Sequence, residues 1–447
     1  VLKRNLYIKA DIGYKYFKPL MFMAFPIMIQ GLVFQLQVLV NRVFLGNINK
    51  EYLYVIGNTM VPYYTVIEVL VAIAMGITIL ISQNLSEDER SVSRAYTEAS
   101  ISFNSIICVL FFLMWYFLSK DIFSLMGVDK SQIGYCVSYI KILSFYMLVF
   151  GIDISMQSAL AGTGDTKPLM YAGLCKVAVN VILDWILIFG KFGFPALGIQ
   201  GSAYATTIAN FVSFAVTAAW FLAARKTPIK ISLEGILKWD WKNYINVVKL
   251  GLPTGFETIS LFVGNLVIIS FLNGVDKISA GVYTLIMEID VLVFLMYNGV
   301  ARAALTLVGQ FTGAKNKREA KSVLSASVFY NLVMVILIFL PFVLFAKQIL
   351  SIFTNDSALI SNSAMLLIIS AVAFFPKCLN VTVGSGIRGL GDTKWMLYTQ
   401  ILGTLLLVTG SYAMLYVFKM GIAGVFIVIF IDESIRSTLN IYRFCKE

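Results

Sequence analysis

Asn180 and Asp184 stand four residues apart in the apolar run Asn180-Val-Ile-Leu-Asp184, so a helix puts the amide and the carboxylate on one face. A carboxylate at the middle of a membrane span costs about 2.5–3.5 kcal/mol on insertion scales, which makes it a functional candidate by default. It can be neutralised by a proton, or by sodium with other oxygens around it. An exchanger needs two such states, because each bound form can favour a different conformation. Glu68 and Asp153 are further acids of this kind, and Glu257, Glu288 and Asp290 follow later in the chain. Counted from the apolar edges, Glu257 and Lys377 share a depth. A pair would lower the cost of burying both, whereas an unpaired Lys377 would favour anionic or zwitterionic ligands. Glu288 and Asp290 can line the same cleft and attract an organic cation. Tyr63, Tyr64 and Tyr146 offer faces for a flat one. Asp432 and Glu433 precede Arg436 by four and three residues, the spacing of a local structural cluster.

The elements that position these residues are membrane helices. The chain has 447 residues, 59% apolar and 13% charged, with a mean hydropathy of +0.83; soluble domains carry about 25% charge. Twelve apolar stretches, from 19–41 to 421–443, are long enough to cross a bilayer at about 20 residues each. Period-2 alternation is missing, which argues against a barrel. Without His, His-ligated zinc, haem and Ser-His-Asp chemistry are excluded. Five scattered Cys fit neither a disulfide framework nor a metal cluster, and no phosphate-binding loop is present. Lys and Arg number 22 on the side of the termini and 8 on the other. Both termini are therefore expected in the cytoplasm, with the net charge of +11 belonging to loops rather than to a nucleic-acid surface. The N-terminus does not read as a cleaved signal.

Compared at a shift of 227, the halves match. Pro26 meets Pro253, Gln83 meets Gln310, Asp129 meets Asp356, Tyr171 meets Tyr398, and Gly162-Thr-Gly-Asp-Thr-Lys167 meets Gly389-Leu-Gly-Asp-Thr-Lys394. The chain is a duplicated unit, and an even number of spans per copy gives both the same orientation. The division expected is an N-terminal lobe at 1–223, a linker at 224–247 and a C-terminal lobe at 248–447. Lys238-Trp-Asp-Trp-Lys242 in the linker suggests a helix lying in the interface. The two Gly-x-Gly-Asp-Thr-Lys turns read as helix punctuation, with glycine ending one helix, Asp or Thr capping the next, and Pro168 at an early helical position.

These turns after spans 4 and 10, Thr306-Leu-Val-Gly-Gln310 with Gly313-Ala314, and Asn180–Asp184 followed by Ile188-Phe-Gly190 make the chain resemble the multidrug and toxic compound extrusion (MATE) family. The resemblance is closer to its DinF-like and archaeal branch. It implies an all-α polytopic fold of 12 transmembrane helices in two six-helix lobes related by pseudo-two-fold symmetry along the membrane normal. It also implies a cation-coupled antiporter, driven by sodium or protons, that exports organic, cationic or amphipathic compounds by alternating access.

In that branch the residues matching Asn180 and Asp184 join a cation site, and Thr206 matches a hydroxyl near it. The family's helix-1 aspartate aligns with Asn41, which cannot take up a proton; Glu68 is a candidate replacement. The other main branch uses acids on spans 7 and 10, but here span 10 carries Lys377, so coupling is expected in the N-terminal half. The substrate cavity is assigned to Asp153, Glu257, Lys377, Glu288, Asp290, Tyr63 and Tyr146. No cofactor and no metal beyond sodium at Asp184 are expected. The partners are a small organic substrate and membrane lipid, for a monomer in a bacterial or archaeal inner membrane. A related lipid-linked precursor flippase is the transport alternative. An intramembrane aspartyl protease of the Gly-x-Gly-Asp kind is the remote one, since the chain has no Tyr-Asp.

Overall fold

The computed structural model describes residues 2–85, 90–223, 229–275, 277–354 and 356–446. The side chains of Lys3, Arg4 and Lys9, and residues 224–228 of the linker, lie outside the described residues. Helices α1 (Leu2–Ile48), α2 (Lys50–Gln83), α3 (Arg90–Leu125), α4 (Lys130–Ser144), α5 (Met147–Thr163), α6 (Lys167–Phe189) and α7 (Ile199–Ala223) precede a short α8 (Leu233–Leu237). After it come α9 (Trp241–Val275), α10 (Lys277–Gly313), α11 (Lys317–Leu344), α12 (Ala346–Phe353), α13 (Ser357–Val372), α14 (Phe374–Gly389), α15 (Thr393–Tyr412) and α16 (Gly421–Lys446). No strand occurs among the described residues.

Among the described residues, ten helical segments are long and apolar enough to span a membrane, and α4 with α5, bent by 49°, makes an eleventh. The twelfth is α16, whose 26 residues reach about 39 Å at 1.5 Å per residue. Its mid-helix Asp432, Glu433 and Arg436 lower its hydropathy, and the one guanidinium partners both acids. Arg436 donates to Asp432 at 2.7 Å and to Glu433 at 2.8 Å. The structure is therefore all-α and polytopic, consistent with twelve spans.

Two compact units divide the chain: Ile29–Leu252 on one hand, Val1–Met28 with Pro253–Glu447 on the other. The polypeptide changes unit just after Pro26 and just before Pro253, which are repeat equivalents. Repeat-related contacts recur inside each unit. Asn104 Nδ2 donates to Ser155 Oγ at 3.0 Å, and Asn331 Nδ2 to Thr382 Oγ1 at 2.8 Å. A Cβ on Gly162 would lie 2.9 Å from the Thr78 carbonyl, and one on Gly389 would lie 2.6 Å from that of Leu305. Every one of these positions is offset by 227 from its counterpart. The bend between α4 and α5 has its equivalent in the break between α13 and α14. Asp129 and Asp356 both cap the helix that follows, accepting from the Ser131 and Leu359 amides at 2.8 and 3.1 Å. The Ser131 hydroxyl, then its N–H, hold the Asp129 carboxyl below its ordinary value.

The linker carries the short helix α8, and Lys238–Asp240 break the helix after it: Trp239 takes φ +53°, and Asp240 accepts from the Asn243 amide at 3.1 Å, so Trp241 and Lys242 open α9. The linker is fastened to α3. Glu98 accepts from Ser232 N at 2.7 Å and from Arg94 Nε at 2.8 Å, while Phe103 carries Trp239, Trp241 and Tyr244 around its ring.

The two Gly-x-Gly-Asp turns do what turn chemistry requires, with one asymmetry. Gly164 and Gly391 adopt φ +87° and +93°, a region open to glycine without a Cβ clash. Pro168 sits in the first turn of α6. Asp392 caps α15 through the Trp395 amide at 3.2 Å and accepts from Arg443. Asp165 makes no such cap; it accepts from Trp220 Nε1 at 3.1 Å. Both aspartates thus tie a turn to the last helix of its own repeat, and neither is presented as a catalytic acid.

Candidate functional site

The site in the N-terminal unit is built on α6, held between the Gly164 turn and Gly190, a left-handed C-cap at φ +67°. Lys176, Asn180 and Asp184 follow at four-residue intervals and form one stripe along the helix. Asp184 is wholly buried, as is Asn180. Four of the five residues expected in a coupling site come together here: Asn41 from α1, Asn180 and Asp184 from α6, and Thr206 from α7. Asn180 and Thr206 meet at 3.2 Å. Oriented nitrogen-inward, the Asn41 amide donates to Asp184 Oδ2 across 2.6 Å, and the Asn180 amide reaches the same oxygen across 3.0 Å. Amide orientation is an assignment made from hydrogen bonding. Turned oxygen-inward, these amides would face the carboxylate with acceptors, an arrangement satisfied only by a proton on Asp184 or a cation among the oxygens. Gln37 of α1 and Ser202 of α7 complete the surroundings, and Asp184 Oδ1 has no hydrogen-bond partner.

Glu68 is placed elsewhere, on an exposed face of α2, and does not join this group. One carboxylate, not two, therefore sits among the amides. Asp153 of α5 is fully buried and accepts from Tyr146 OH at 2.6 Å. Tyr63 is also buried and donates to the Leu143 carbonyl at 3.0 Å, so both hydroxyls are used internally. Lys176, a cation inside a span, is not among the site residues expected from the sequence, although its spacing from Asn180 repeats that of Asn180 from Asp184. Its ammonium lies 5.0 Å from the centre of the Phe34 ring and its charge acts on Asp153.

The C-terminal unit corrects the expected pairing of Glu257 with Lys377. Lys377 donates to Asp290, and Arg388 donates to Glu257. The cause is helix length. Helix α14 runs to Gly389, so Arg388, which the apolar pattern assigns to a loop, is helical; α9 starts at Trp241, seven residues before the apolar edge at 248. Depths counted from apolar edges are displaced accordingly. Glu288 and Asp290 do not share a face, since residues two apart on a helix point away from each other. Asp290 is buried against Lys377, while Glu288 is half-buried on another side of α10. Asn380 donates to Glu433 at 2.7 Å and Arg436 to Gln400 at 2.7 Å, giving a dense compensated network. Among the described residues of this unit, Asp290, Glu257, Asp432 and Glu433 each have a cationic partner.

A duplicated all-helical membrane fold with ion-paired acids in one unit and the amide-lined Asp184 in the other is the arrangement of a polytopic transporter. The family model described as MatE matches residues 26–186 and 253–413, two segments with both bounds offset by 227. The chain belongs to this family of multidrug efflux transporters, which is not a class of enzymes.

It is 25% identical over 434 residues to a probable multidrug resistance protein NorM of Thermotoga maritima, covering 96% of this chain and 92% of that one. To the multidrug resistance protein PmpM of Pseudomonas aeruginosa it is 25% identical over 406 residues, covering 88% and 81%. Its fold is that of an outward-facing multidrug resistance MATE family transporter (TM-score 0.87, 20% identity, 96% and 95% covered). It is also that of a MOP superfamily transporter from Pyrococcus furiosus described as having a binding pocket of reversed polarity (TM-score 0.89, 19% identity, 96% and 95% covered).

Proposed function

We propose that this chain is a cation-coupled antiporter, in which sodium or protons enter and organic cationic or amphipathic compounds leave by alternating access. Its place is the bacterial or archaeal inner membrane, with both termini in the cytoplasm and a monomer as the working unit. The observation that carries the reading is Asp184, wholly buried, with amides and hydroxyls as its partners in place of a lysine or arginine. A charge so placed needs a neutralising cation, and the conformation that releases that cation must differ from the one that takes it up. The absence of a second carboxylate at Asn41 restricts the exchange at this site to one neutralising charge. Asn41 and Asn180 contribute oxygens for sodium in one orientation and N–H donors for a bare carboxylate in the other.

The test uses proteoliposomes loaded with a fluorescent organic cation, with a sodium gradient or a pH gradient imposed separately. Dye movement driven by one gradient and lost in Asp184→Asn identifies the coupling ion and its site. Movement that persists unchanged in Asp184→Asn removes Asp184 from coupling. No response to either gradient favours the lipid-linked flippase instead.

A further inference from the structure

Phe34 of α1, Lys176 of α6 and Asp153 of α5 make a second arrangement within the N-terminal unit. Lys176 holds its ammonium 5.0 Å from the centre of the Phe34 ring. Tyr64 meets Phe34 edge-on at 6.2 Å, and Tyr63 meets Tyr64 in the same way at 5.7 Å. Phe34, Tyr64 and Lys176 are each half-buried. Asp153 is fully buried; it accepts from Tyr146 OH at 2.6 Å, the Gln157 and Thr217 side chains also hydrogen-bond it, and the Lys176 charge acts on it.

An aromatic face beside a carboxylate is a recognition element for organic cations, because ring quadrupole and negative charge attract the same ligand. Here the cation on that face is the chain's own. Lysine suits this use: its charge is a point at the end of a flexible four-carbon stem and can withdraw without moving the helix. The charge also compensates Asp153 while no ligand is present. Lys176 lies eight residues from Asp184 on α6, about 12 Å along the axis, too far to serve as that carboxylate's partner.

We propose that Lys176 is a tethered competitor for the organic-cation subsite formed by Phe34, Tyr64 and Asp153, and that a substrate cation enters by displacing its ammonium from the Phe34 ring. The proposal rests on the export reading for the identity of the ligand, yet it concerns equilibrium binding and needs no gradient. Displacement subtracts the Lys176 contact from the apparent affinity of every cationic substrate, so weakly held compounds pass through without being trapped.

The experiment is the binding of ethidium, a rigid aromatic cation, to the full chain in detergent micelles, read by fluorescence anisotropy in one buffer without ion gradients. Lys176→Met and Lys176→Gln are both expected to bind about 3–30-fold tighter than wild type, the range a ring–cation contact covers. Lys176→Arg keeps a cation on the ring, one that stacks at least as well, and is expected to bind ethidium no tighter than wild type. Adding Phe34→Leu or Asp153→Asn to Lys176→Met should reverse the gain. The proposal is overturned if Lys176→Met and Lys176→Gln, melting like wild type, bind ethidium equally or more weakly. It is equally overturned if the gain survives either Phe34→Leu or Asp153→Asn. Using two neutral replacements guards against one of them misfolding. A failure of cation coupling in proteoliposomes would leave these binding outcomes readable, and the reverse also holds.

Discussion

Tyr244 stacks on Phe103, with ring centroids 4.7 Å apart and planes 20° from parallel. The repeat equivalents of these two residues, Phe17 and Tyr330, are also in contact, at 5.1 Å. In each unit, then, a ring from the entering arm of a long helix (α9 in one, α1 in the other) sits on the third span. The arms come from opposite halves of the sequence, so each unit is closed by a segment that sequence order assigns to its neighbour. Tyr244 adds a hydrogen bond to Asn104 Oδ1 at 2.9 Å, and Asn104 in turn holds Ser155. Tyr244→Phe keeps the stack and loses that bond, which is expected to lower stability by about 1 kcal/mol. Tyr244→Ala loses both and should cost about 3–5 kcal/mol. Unfolding of the detergent-solubilised chain by denaturant checks the two values.

The Lys377–Asp290 pair lends itself to a double-mutant cycle. Both side chains are largely buried, at 15% and 9% exposed, and Asp290 Oδ1 has no hydrogen-bond partner. Removing one charge strands the other, so Lys377→Met alone is expected to lose about 3–5 kcal/mol. Replacing both by apolar side chains of similar size, Lys377→Met with Asp290→Leu, should recover most of it, because burying an ion pair is itself costly. Combining Lys377→Met with Glu257→Leu should bring no recovery, since Glu257 is held by Arg388.

Close helix crossings yield a contrasting pair of glycine substitutions. A Cβ on Gly251 would lie 1.9 Å from the Ile73 carbonyl oxygen, and the reciprocal Cβ on Gly76 would lie 2.3 Å from that of Val247. Backbone cannot rotate away as a side chain can, so α2 and α9 must separate. Gly251→Ala is expected to cost about 1–3 kcal/mol or more. Gly57, also helical, has nothing within 4 Å of such a Cβ, and Gly57→Ala should stabilise by about 0.5–1 kcal/mol. Opposite signs in thermal melts of the two variants are the expected result.

Much of this architecture is legible in the sequence because the repeat is written in residues that punctuate helices. Gly164, Gly391, Asp129 and Asp356 do the same local work wherever they stand, and the four-residue spacing of Asn180 and Asp184 needs only a helix to become a shared face. Asn41 and Thr206 join them only through family likeness; spacing alone says nothing of neighbours on other helices.

What stayed hidden depends on long-range register. The partner of Glu257 follows from where α9 and α14 begin and end, and those ends lie outside the apolar stretches that composition detects. Arg388 is invisible as a partner once its helix is cut short. The exchanged arms are hidden for a similar reason, since nothing local to Phe17 distinguishes Tyr330 from a residue of its own half. Lys176 was detectable by the same four-residue spacing as Asp184, but a lone cation within a span reads first as a cost to be compensated.

The amides around Asp184 lead to a graded prediction for cation affinity. Asn180 reaches the Asp184 carboxylate directly, whereas Thr206 touches Asn180 and supports it from behind. A hydrogen bond to a charged group is worth about 1.5–3 kcal/mol, and each 1.4 kcal/mol is about a factor of ten in an equilibrium constant. Losing the N–H bond to the bare carboxylate would by itself tighten cation binding, so direct ligation by the oxygen-inward amide, a contact to a charge of the same order, is what makes Asn180→Ala raise the half-saturating concentration of that cation, by up to about 10–100-fold. Thr206→Val, which removes only an orienting contact of about 1 kcal/mol, should raise it about fivefold. Asn41→Ala belongs with Asn180→Ala, because its amide approaches the same carboxylate oxygen. The readout is the initial rate of dye movement in proteoliposomes as the coupling cation is varied at fixed dye concentration. Equal effects from Thr206→Val and Asn180→Ala would mean that the site responds to general loosening of α6 against α7. A ranking with both amides ahead of the hydroxyl is what direct ligation requires.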